Sequence, residues 1–498
     1  MMKLQDLLKT TAFEQVDGSI DIDIFDVTAD SRKAGKGCLF FCLSGARADG
    51  HDFAQSAVKG GAVAVISERK LDLPENITVV YVKDTRKAME DMVPSFFGYP
   101  SRKMRMIAVT GTNGKTTTTH IISHILRYAG HKTGVIGTIH ALIGDKEIPA
   151  HNTTPDVIDL QRLLHQMVLE SVEYACMEVS SHALVMGRVV GCEFDTAVFT
   201  NLTEDHLDFH KTMENYAKAK AMLFTMISSE GQTKKNKSAW INEDDEYAQV
   251  MKSAIQDKDI CACHTYGMSK EELFAFNNVF TGKGSAFQVD FKGENYLVKT
   301  NLVGRFNIYN TLAAIGAALS EKVSMEIIIK ALTDFKSVPG RFELIDEGQS
   351  FPVVVDYAHT PDGLEKILLT AKEITKGKII ITFGCGGDRD KLKRPIMGYI
   401  AGKYADTVII TSDNPRTENP EDIIEDITEG VKKAAKVKKE LYYIVDADRH
   451  KAIEKAVSMA GENDMVLIAG KGHEDYQILK DRTIHFDDRE EARKVLRG

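Results

Sequence analysis

Short apolar runs alternate with amphipathic segments along most of the chain, which is the pattern of an α/β protein. In the first hundred residues this pattern predicts strands at 38–43, 62–66 and 78–82 and helices at 52–59 and 85–97. Turn residues at 98–102 then precede the next apolar run. We therefore expect a small N-terminal α/β domain over residues 1–98.

The next segment, residues 99–337, predicts a larger central domain. It opens with a strand at 106–109, a Gly-rich turn, and a helix whose apolar residues recur at helical spacing up to Gly130. Further predicted elements are strands at 174–179 and 196–200, an exposed polar loop at 230–237, antiparallel strands within 259–303 and a helix at 307–319.

The last segment, residues 338–498, predicts a parallel, doubly wound, Rossmann-like sheet. Its predicted strands, which recur between helices, are 353–356, 378–383, 407–412, 442–445 and 465–469. Such sheets bind ligands beyond the carboxyl ends of their strands. The predicted fold is thus α/β with three domains, of which the central one combines a parallel sheet with an antiparallel β segment.

Composition excludes several classes of function. The net charge of −9 over 498 residues argues against a nucleic-acid-binding protein. No apolar run approaches the ~18 residues of a membrane span, and the N-terminus lacks the apolar core of a signal peptide. The seven cysteines follow no framework spacing, which indicates reduced thiols in a cytoplasmic protein. Cys261 and Cys263, followed by His264, could bind a metal, but their pattern is more typical of a strand.

The strongest chemical signal is a G-T-N-G-K-T-T turn between the first strand and helix of the central domain. Backbone N–H groups of such a turn bind phosphate oxygens, and the helix N-terminus adds its dipole. A Lys pairs with the outer phosphates and a Thr hydroxyl with Mg²⁺. The common motif has a further Gly where this chain has Val109. The sequence predicts a nucleoside triphosphate site formed by Gly111, Thr112, Asn113, Gly114, Lys115, Thr116 and Thr117.

Several residues of the central domain are candidates for a metal site. Glu178 ends a predicted strand near the phosphate loop, where a Mg²⁺ ligand is expected. His206 and His210, with aspartates beside them, fit zinc, magnesium or a solvated turn equally well. Lys218 and Lys220 would lie on different faces of a helix.

Together, the motifs at 110–116, 178–182, 201–208 and 216–224 resemble those of the ATP-dependent Mur ligases of peptidoglycan synthesis, and the resemblance runs in order over essentially the whole chain. It implies a ligase that activates a carboxylate with ATP, with Mg²⁺ as cofactor. It also implies that Thr116, Glu178 and His206 hold Mg²⁺. Lys220 would be modified by CO₂ to a carbamate (N6-carboxylysine) that holds a second Mg²⁺, which requires a desolvated amine.

The resemblance assigns further residues to the two nucleotide-containing substrates. The ATP-side residues from the second and third domains would be Asn307, Asn310, Arg341, Asp356, Tyr357 and His359. The UDP-muramoyl-dipeptide would contact Ser31, Ala46, Arg47, Ala48, Asn152, Thr153, Thr154, Ser180, Met186 and Arg188. Family members often carry Gln where this chain has Met186.

Three loops of the third domain follow predicted strands and would converge on one pocket. They supply Arg389, Asp413, Asn414, Pro415, Arg416, Gly470 and Glu474. Two guanidiniums suit two carboxylates, and carboxylate side chains suit ammonium groups. A ligand with both at each end is meso-diaminopimelate, and in the family the motif D-N-P-R marks the members that add it.

Other functions remain open from the sequence: a lysine-adding Mur ligase, a ligase like folylpolyglutamate synthase, a kinase, and a nucleotide-dependent switch. The two-arginine pocket argues against the last two, because neither needs a site for a dicarboxylic amino acid. We expect small-molecule substrates, no nucleic acid, no membrane span and a monomer.

Overall fold

The structure is a computed structural model that describes residues 1–45, 48–149 and 152–498. These residues form three large sheets and two two-stranded ones; each large sheet packs with helices and lies within one of the three predicted segments, so the predicted α/β fold class is confirmed. No helix in these ranges is both long and apolar enough to cross a membrane.

The N-terminal segment carries a five-stranded sheet in the order β2-β7-β6-β5-β4, with a short β1-β3 pair beside it. Its strands are β1 (Met2–Lys3), β2 (Gln15–Asp17), β3 (Asp23–Ile24), β4 (Asp26–Thr28), β5 (Cys38–Phe41), β6 (Ala62–Ser67) and β7 (Thr78–Tyr81). Its helices are α1 (Leu4–Leu8), α2 (Ala54–Gly60) and α3 (Thr85–Phe96). Every residue of β5 is buried, which explains its continuous apolar sequence.

The central segment forms an 11-stranded sheet in the order β11-β10-β9-β12-β8-β13-β14-β15-β16-β17-β18. The strands are β8 (Arg105–Thr110), β9 (Thr133–Ile136), β10 (His140–Ile143), β11 (Lys146–Pro149), β12 (Tyr174–Glu178), β13 (Thr196–Phe199), β14 (Lys237–Asn242), β15 (Cys261–Gly267), β16 (Leu273–Thr281), β17 (Gly284–Phe291) and β18 (Glu294–Thr300). The helices are α4 (Lys115–Tyr128), α5 (Val157–Leu169), α6 (Ser181–Val185), α7 (Leu207–His210), α8 (Met213–Ser228), α9 (Ala248–Ser253), α10 (Arg305–Ser320) and α11 (Met325–Asp334).

The third segment forms a six-stranded sheet in the order β19-β20-β24-β21-β22-β23 and a separate β25-β26 hairpin. The strands are β19 (Glu343–Ile345), β20 (Val353–Asp356), β21 (Ile379–Phe383), β22 (Thr407–Ile410), β23 (Tyr442–Val445), β24 (Met465–Ala469), β25 (Tyr476–Ile478) and β26 (Thr483–His485). The helices are α12 (Pro361–Ile374), α13 (Lys393–Tyr404), α14 (Pro420–Val437), α15 (Arg449–Ser458) and α16 (Asp488–Arg497).

Two sequence predictions for the central sheet were wrong in part. Strand β15 pairs in parallel with both β14 and β16, so the antiparallel segment begins one strand later than predicted. The polar loop ends before Lys237, which is buried at the start of β14 and donates a hydrogen bond to the Ile227 carbonyl at 3.1 Å. A long Lys stem can be buried when its ammonium finds acceptors, which a polarity pattern does not reveal.

The edges of the sheets add antiparallel strands that the pattern did not predict. Strands β10 and β11 extend the central sheet beyond β9, and β19 pairs antiparallel with β20 in the third. The inner strands β9, β12, β8 and β13 remain parallel neighbours. Their carboxyl ends therefore meet at one edge, where the candidate chemistry of the central segment lies.

Candidate active site

The phosphate loop links β8 to α4 and is held by its own lysine. The Nζ of Lys115 donates hydrogen bonds to the carbonyls of Gly111 and Thr112 at 2.8 and 2.9 Å. Burial lowers the pKa of Lys115. Gly114 precedes the helix with φ 85°, and a Cβ there would overlap the side-chain oxygen of Asn310. This position therefore requires glycine both for its backbone conformation and for the close approach of α10.

Glu178, at the carboxyl end of β12, lies beside the phosphate loop. Its side chain is buried, and Oε2 accepts a hydrogen bond from the Thr116 hydroxyl at 3.0 Å. The backbone N–H and the hydroxyl of Thr138 donate to the two carboxylate oxygens at 2.8 and 3.1 Å. A buried carboxylate that receives only neutral donors here, next to a Thr hydroxyl, has the donor chemistry of a Mg²⁺ site.

The two histidines after β13 have different surroundings. His206 precedes α7 with φ 54°, and its ring centroid lies 4.8 Å from that of His182. Burial lowers the pKa of His206, with Lys115 and Lys220 acting in the same direction, which favours the neutral imidazole that binds metals. His210 is instead buried, shares a hydrogen bond with the Ser181 hydroxyl at 2.9 Å and stacks on Tyr216.

Zinc was one of the alternatives left open for this segment. Within the described ranges no group of three or more His, Cys, Asp or Glu residues has the arrangement of a metal site. Cys261, Cys263 and His264 lie in β15, which confirms the predicted strand. The ring of His264 stacks on Trp240.

Lys220 and Lys218 lie on different faces of α8, as predicted. Lys218 is exposed and pairs with Glu214 at 2.7 Å. Lys220 is 1% exposed, donates to the Gly111 carbonyl at 2.7 Å and lies 4.5 Å from the Tyr216 ring centroid. Burial, with the charge of Lys115, lowers the pKa of Lys220 well below its ordinary value. The desolvated amine that carbamylation requires is therefore present at this position.

The residues expected to bind the muramoyl-dipeptide form a connected group around Thr154. The Thr154 hydroxyl donates to the Glu178 carbonyl at 2.8 Å and accepts from the Ser180 N–H at 3.1 Å. Arg188 donates to the Thr154 carbonyl at 3.0 Å, and the Thr153 hydroxyl lies 3.1 Å from that of Thr138. Asn152 is exposed at the start of this segment. The group therefore adjoins the candidate metal site directly.

A cavity of about 310 Å³ lies between the N-terminal sheet and the central one. Asp30, Glu90, Met186 and Arg188 are among its lining residues. The Met186 sulfur lies 3.6 Å from Arg188 Nη2, so a thioether takes the position at which the family resemblance often implies Gln. Two candidates for the uridine end are described by the structure: Ser31 is half-buried in a short 3₁₀ turn, and Ala48 is exposed. The other two, Ala46 and Arg47, lie outside the described residues.

Residues from the second and third segments meet at the phosphate loop. Arg341 donates to the Thr116 hydroxyl at 3.3 Å and lies over the Tyr357 ring at 4.6 Å. Its Nε is buried without a hydrogen-bond partner in the described part of the chain, as suits a group that binds a ligand. The Asp356 carboxylate accepts hydrogen bonds from the Phe342 and Ala358 N–H groups. The ring centroid of His359 lies 4.6 Å from that of Tyr357. In α10, the Asn310 amide donates a hydrogen bond to the Asn307 side-chain oxygen at 3.0 Å.

Three loops of the third segment converge beyond the carboxyl ends of the adjacent strands β24, β21 and β22. A Cβ on Gly386 would lie 2.9 Å from Arg416 Nη1 and 3.8 Å from Arg389 Cγ, so both arginines border this glycine. Arg416 also donates to the Gly387 carbonyl at 2.9 Å. The loops therefore bring the side chains of both arginines next to one glycine, although Arg389 is exposed and its Nη1 donates to the Asp388 carbonyl at 3.2 Å.

Carboxylates lie in the same loops. Asp413 is buried, and a Cβ on Gly470 would lie 2.7 Å from its Oδ2. Glu474 accepts from the Asn414 amide at 2.8 Å, and Pro415 is buried between Asn414 and Arg416. Burial raises the pKa of Glu474, and the nearby Lys471 opposes this. A pocket with cationic and anionic groups fits an amino acid rather than a simple anion.

Sequence reasoning missed three contributors to the site. Thr138, beyond β9, donates two hydrogen bonds to Glu178. Asp362 of α12 accepts from the phosphate-loop residue Asn113, and Lys471 contacts Glu474. Lys471 lies within a recognised loop, between Gly470 and Glu474, and Asp362 lies three residues after His359, so position in the sequence was the available signal for both. No sequence signal pointed to Thr138.

Three family models match consecutive parts of the chain. The Mur ligase family catalytic-domain model matches residues 23–97, the Mur ligase middle-domain model residues 109–318, and the Mur ligase glutamate ligase domain model residues 340–472.

Individual relatives match over nearly their full length. UDP-N-acetylmuramoyl-L-alanyl-D-glutamate–2,6-diaminopimelate ligase 1 of Clostridium acetobutylicum is 46% identical over 493 residues, covering 98% of each chain. The ligase of the same name from Geobacillus kaustophilus is 48% identical over 95% of each chain. A solved structure of a ligase with this name matches with a TM-score of 0.71 at 33% identity, covering 100% of this chain and 99% of the other.

Proposed function

The chain belongs to the Mur ligase family, and we propose that it joins meso-2,6-diaminopimelate to the D-glutamate of UDP-N-acetylmuramoyl-L-alanyl-D-glutamate, using ATP. The product is the UDP-muramoyl-tripeptide of peptidoglycan synthesis, released with ADP and phosphate. Relatives named for this activity match at 46–48% identity over nearly the whole chain.

One observation supports the choice of amino acid above the others. Arg389 and Arg416 border the same glycine at the strand ends that also present Asp413 and Glu474. Each guanidinium can bind one carboxylate of diaminopimelate in fork geometry, and the carboxylates of the pocket can bind an ammonium. L-Lysine lacks the second carboxylate and would leave one arginine without a partner, which disfavours the lysine-adding alternative.

The proposed reaction has two steps. A γ-carboxylate oxygen of D-glutamate attacks the γ-phosphorus of ATP, the bond to the bridging oxygen breaks, and ADP leaves with that electron pair. The neutral amine of diaminopimelate then attacks the acyl carbon, phosphate departs, and the amine nitrogen loses its proton. Lys115 and the phosphate-loop N–H groups bind the phosphates and offset the charge that develops in the first step.

Thr116, Glu178 and His206 are the residues that would hold Mg²⁺. The donor set supports this assignment, because Glu178 is a buried carboxylate with neutral partners and the pKa of His206 is lowered. Bound Mg²⁺ would supply charge compensation for the phosphate oxygens.

Lys220 would hold a second Mg²⁺ as its carbamate. The neutral amine nitrogen bonds to the carbon of CO₂ and releases one proton, so that a neutral group becomes an anion. The burial of the amine and its lowered pKa favour this reaction.

The remaining substrate contacts follow the same assignment. The group around Thr154 would bind the dipeptide, and the cavity lined by Met186 and Arg188 would continue toward the uridine end at Ser31 and Ala48. Asn307, Asn310, Arg341, Asp356, Tyr357 and His359 would complete the ATP site. We further propose that the protein acts in the cytoplasm as a monomer.

The direct test is product identification. Incubation with ATP, Mg²⁺, the UDP-muramoyl-dipeptide and meso-diaminopimelate should give a species whose mass equals that of the two joined substrates less one water. A phosphorylated dipeptide as the stable end product would instead indicate a kinase. ATP hydrolysis that ignores both substrates would indicate a switch.

A further inference from the structure

Lys471, in the loop that follows β24, has a charged group with no exposed surface. The relative exposure of its side chain is 0%, whereas that of its neighbour Glu474 is 15%. A buried ammonium is costly unless it is paired and hydrogen-bonded. Its Nζ lies 3.2 Å from Asn414 Oδ1 and 3.4 Å from Glu474 Oε2, so its acceptors belong to the amino-acid pocket itself.

Asn414 is held in one orientation by these contacts. Its Oδ1 accepts hydrogen bonds from Lys471 Nζ and from the Ile478 N–H, the latter at 2.9 Å. With both donors on the oxygen, Nδ2 must face the other way, and it donates to Glu474 Oε2 at 2.8 Å. The amide oxygen is therefore occupied within the protein and does not serve an incoming ammonium.

The contacts of Glu474 are divided unequally between its two oxygens. Lys471 and Asn414 both bind Oε2. In the described part of the chain Oε1 has no hydrogen-bond partner, which leaves it for a ligand. One oxygen thus fixes the carboxylate to the protein and the other is available for the ammonium of an amino acid.

From this geometry we propose that Lys471 is a positioning residue of the amino-acid site. By its contacts with Asn414 and Glu474 it orients the Glu474 carboxylate, which binds the substrate ammonium. The inference rests on the proposed function, because it takes the amino acid as the ligand of this pocket. Lys471 does not touch the substrate, and its role is to fix the orientation and the ionisation of Glu474.

Lys471 has a specific electrostatic effect on Glu474. Burial and the like charge of Asp413 raise the pKa of Glu474, whereas Lys471 lowers it. Removal of Lys471 must therefore raise this pKa further, so that Glu474 becomes protonated at a higher pH. The titratable and charged groups that face Glu474 are Lys471 of its own loop, Tyr476 at the start of β25, Asp413 after β22, Tyr357 after β20 and Arg449 of α15.

The first test compares Lys471→Met with Lys480→Met, which removes an exposed lysine nine residues further along the chain. For Lys471→Met we expect the KM for meso-diaminopimelate to rise about tenfold or more, while the KM for ATP changes by less than about twofold. The acidic limb of kcat/KM for the amino acid should move up by about one pH unit. Lys480→Met should match the unsubstituted protein.

A second comparison keeps the proposal testable if Lys471→Met alone does not fold. Lys471→Met/Glu474→Gln leaves neither charge unpaired, and its kcat/KM for the amino acid should equal that of Glu474→Gln to within about twofold. If the losses of kcat/KM in the two single variants multiply in the double variant, the two residues act independently and the proposal is wrong. The proposal is also wrong if the acidic limb of the kcat/KM profile does not move in Lys471→Met. If phosphate release by the unsubstituted protein does not depend on diaminopimelate, the proposed function itself is wrong. If release does depend on diaminopimelate but Lys471→Met has the same kinetics as the unsubstituted protein, only the role proposed for Lys471 is wrong.

Discussion

Asp362, near the start of α12, accepts a hydrogen bond from the side-chain amide of Asn113 in the phosphate loop at 2.9 Å. The same oxygen accepts from the Thr203 hydroxyl at 2.9 Å and from Lys366 Nζ at 2.8 Å. A single carboxylate therefore connects the third segment to the loop that would bind ATP and to the turn that follows β13. This connection suits a site that is completed when the third domain closes.

Replacement of Asp362 tests that connection. Asp362→Ala removes the acceptor shared by Asn113 and Thr203, and we expect kcat/KM for ATP to fall about tenfold or more. Lys366→Met is the matched control, because it removes the local ion pair of Asp362 and leaves both contacts to the central domain. Full activity of Asp362→Ala, or an equal loss in the two variants, would contradict the role assigned to Asp362.

Arg416 should decide the use of diaminopimelate. Arg416→Ala removes the partner of one carboxylate, and we expect kcat/KM for this amino acid to fall about 100-fold, with ATP affinity unchanged. Arg482→Ala, which removes an exposed arginine immediately before β26, should have no effect. Unchanged kinetics in Arg416→Ala would exclude Arg416 from substrate binding.

The sequence predicted the strand ends well, because short and mostly apolar runs flanked by turn residues, such as Ile379–Phe383, are typical of strands buried on both faces. The loops after those strands can therefore be placed at a common edge from the sequence alone. The direction in which β15 pairs was not predictable, because alternation of polar and apolar residues is the same for either direction. Contacts between distant segments, such as Asp362 with Asn113, depend on how domains dock and leave no local pattern.

Carbamylation of Lys220 can be tested with Lys218, on the same helix, as the control. Carbamylation requires a neutral amine, and because burial lowers the pKa of Lys220, neutral amine persists to lower pH than at an ordinary lysine. We expect a ¹³C NMR carbamate signal from protein equilibrated with ¹³C-bicarbonate at about pH 8, decreasing as the pH falls and the amine is protonated.

The signal should persist in Lys218→Ala, whose side chain is exposed, and disappear in Lys220→Ala. Activity that is equal in both variants and independent of bicarbonate would show that the carbamate has no part in the reaction.

Arg449 and Asp488 form a fully buried ion pair behind the amino-acid pocket. Arg449 binds both oxygens of Asp488 at 2.7 Å and also donates to the carbonyls of Ser412 and Ala469, which precede two of the pocket loops. Asp488→Asn leaves the guanidinium without its counter-charge, and we expect the free energy of unfolding to fall by about 3–5 kcal/mol.

Urea denaturation would measure this loss, with Asp481→Asn, at an exposed site, as the control. A change below about 1 kcal/mol in Asp488→Asn would contradict the structural role of the pair.

Phosphate release in the presence of the UDP-muramoyl-dipeptide, measured with meso-diaminopimelate, with L-lysine and without an amine, decides whether the proposed reaction takes place. Because the pocket offers both Arg389 and Arg416, meso-diaminopimelate should accelerate release strongly, L-lysine should do so weakly, and the reaction without an amine should stay at background. Equal rates in all three reactions would contradict the assignment of this chain as a diaminopimelate-adding ligase.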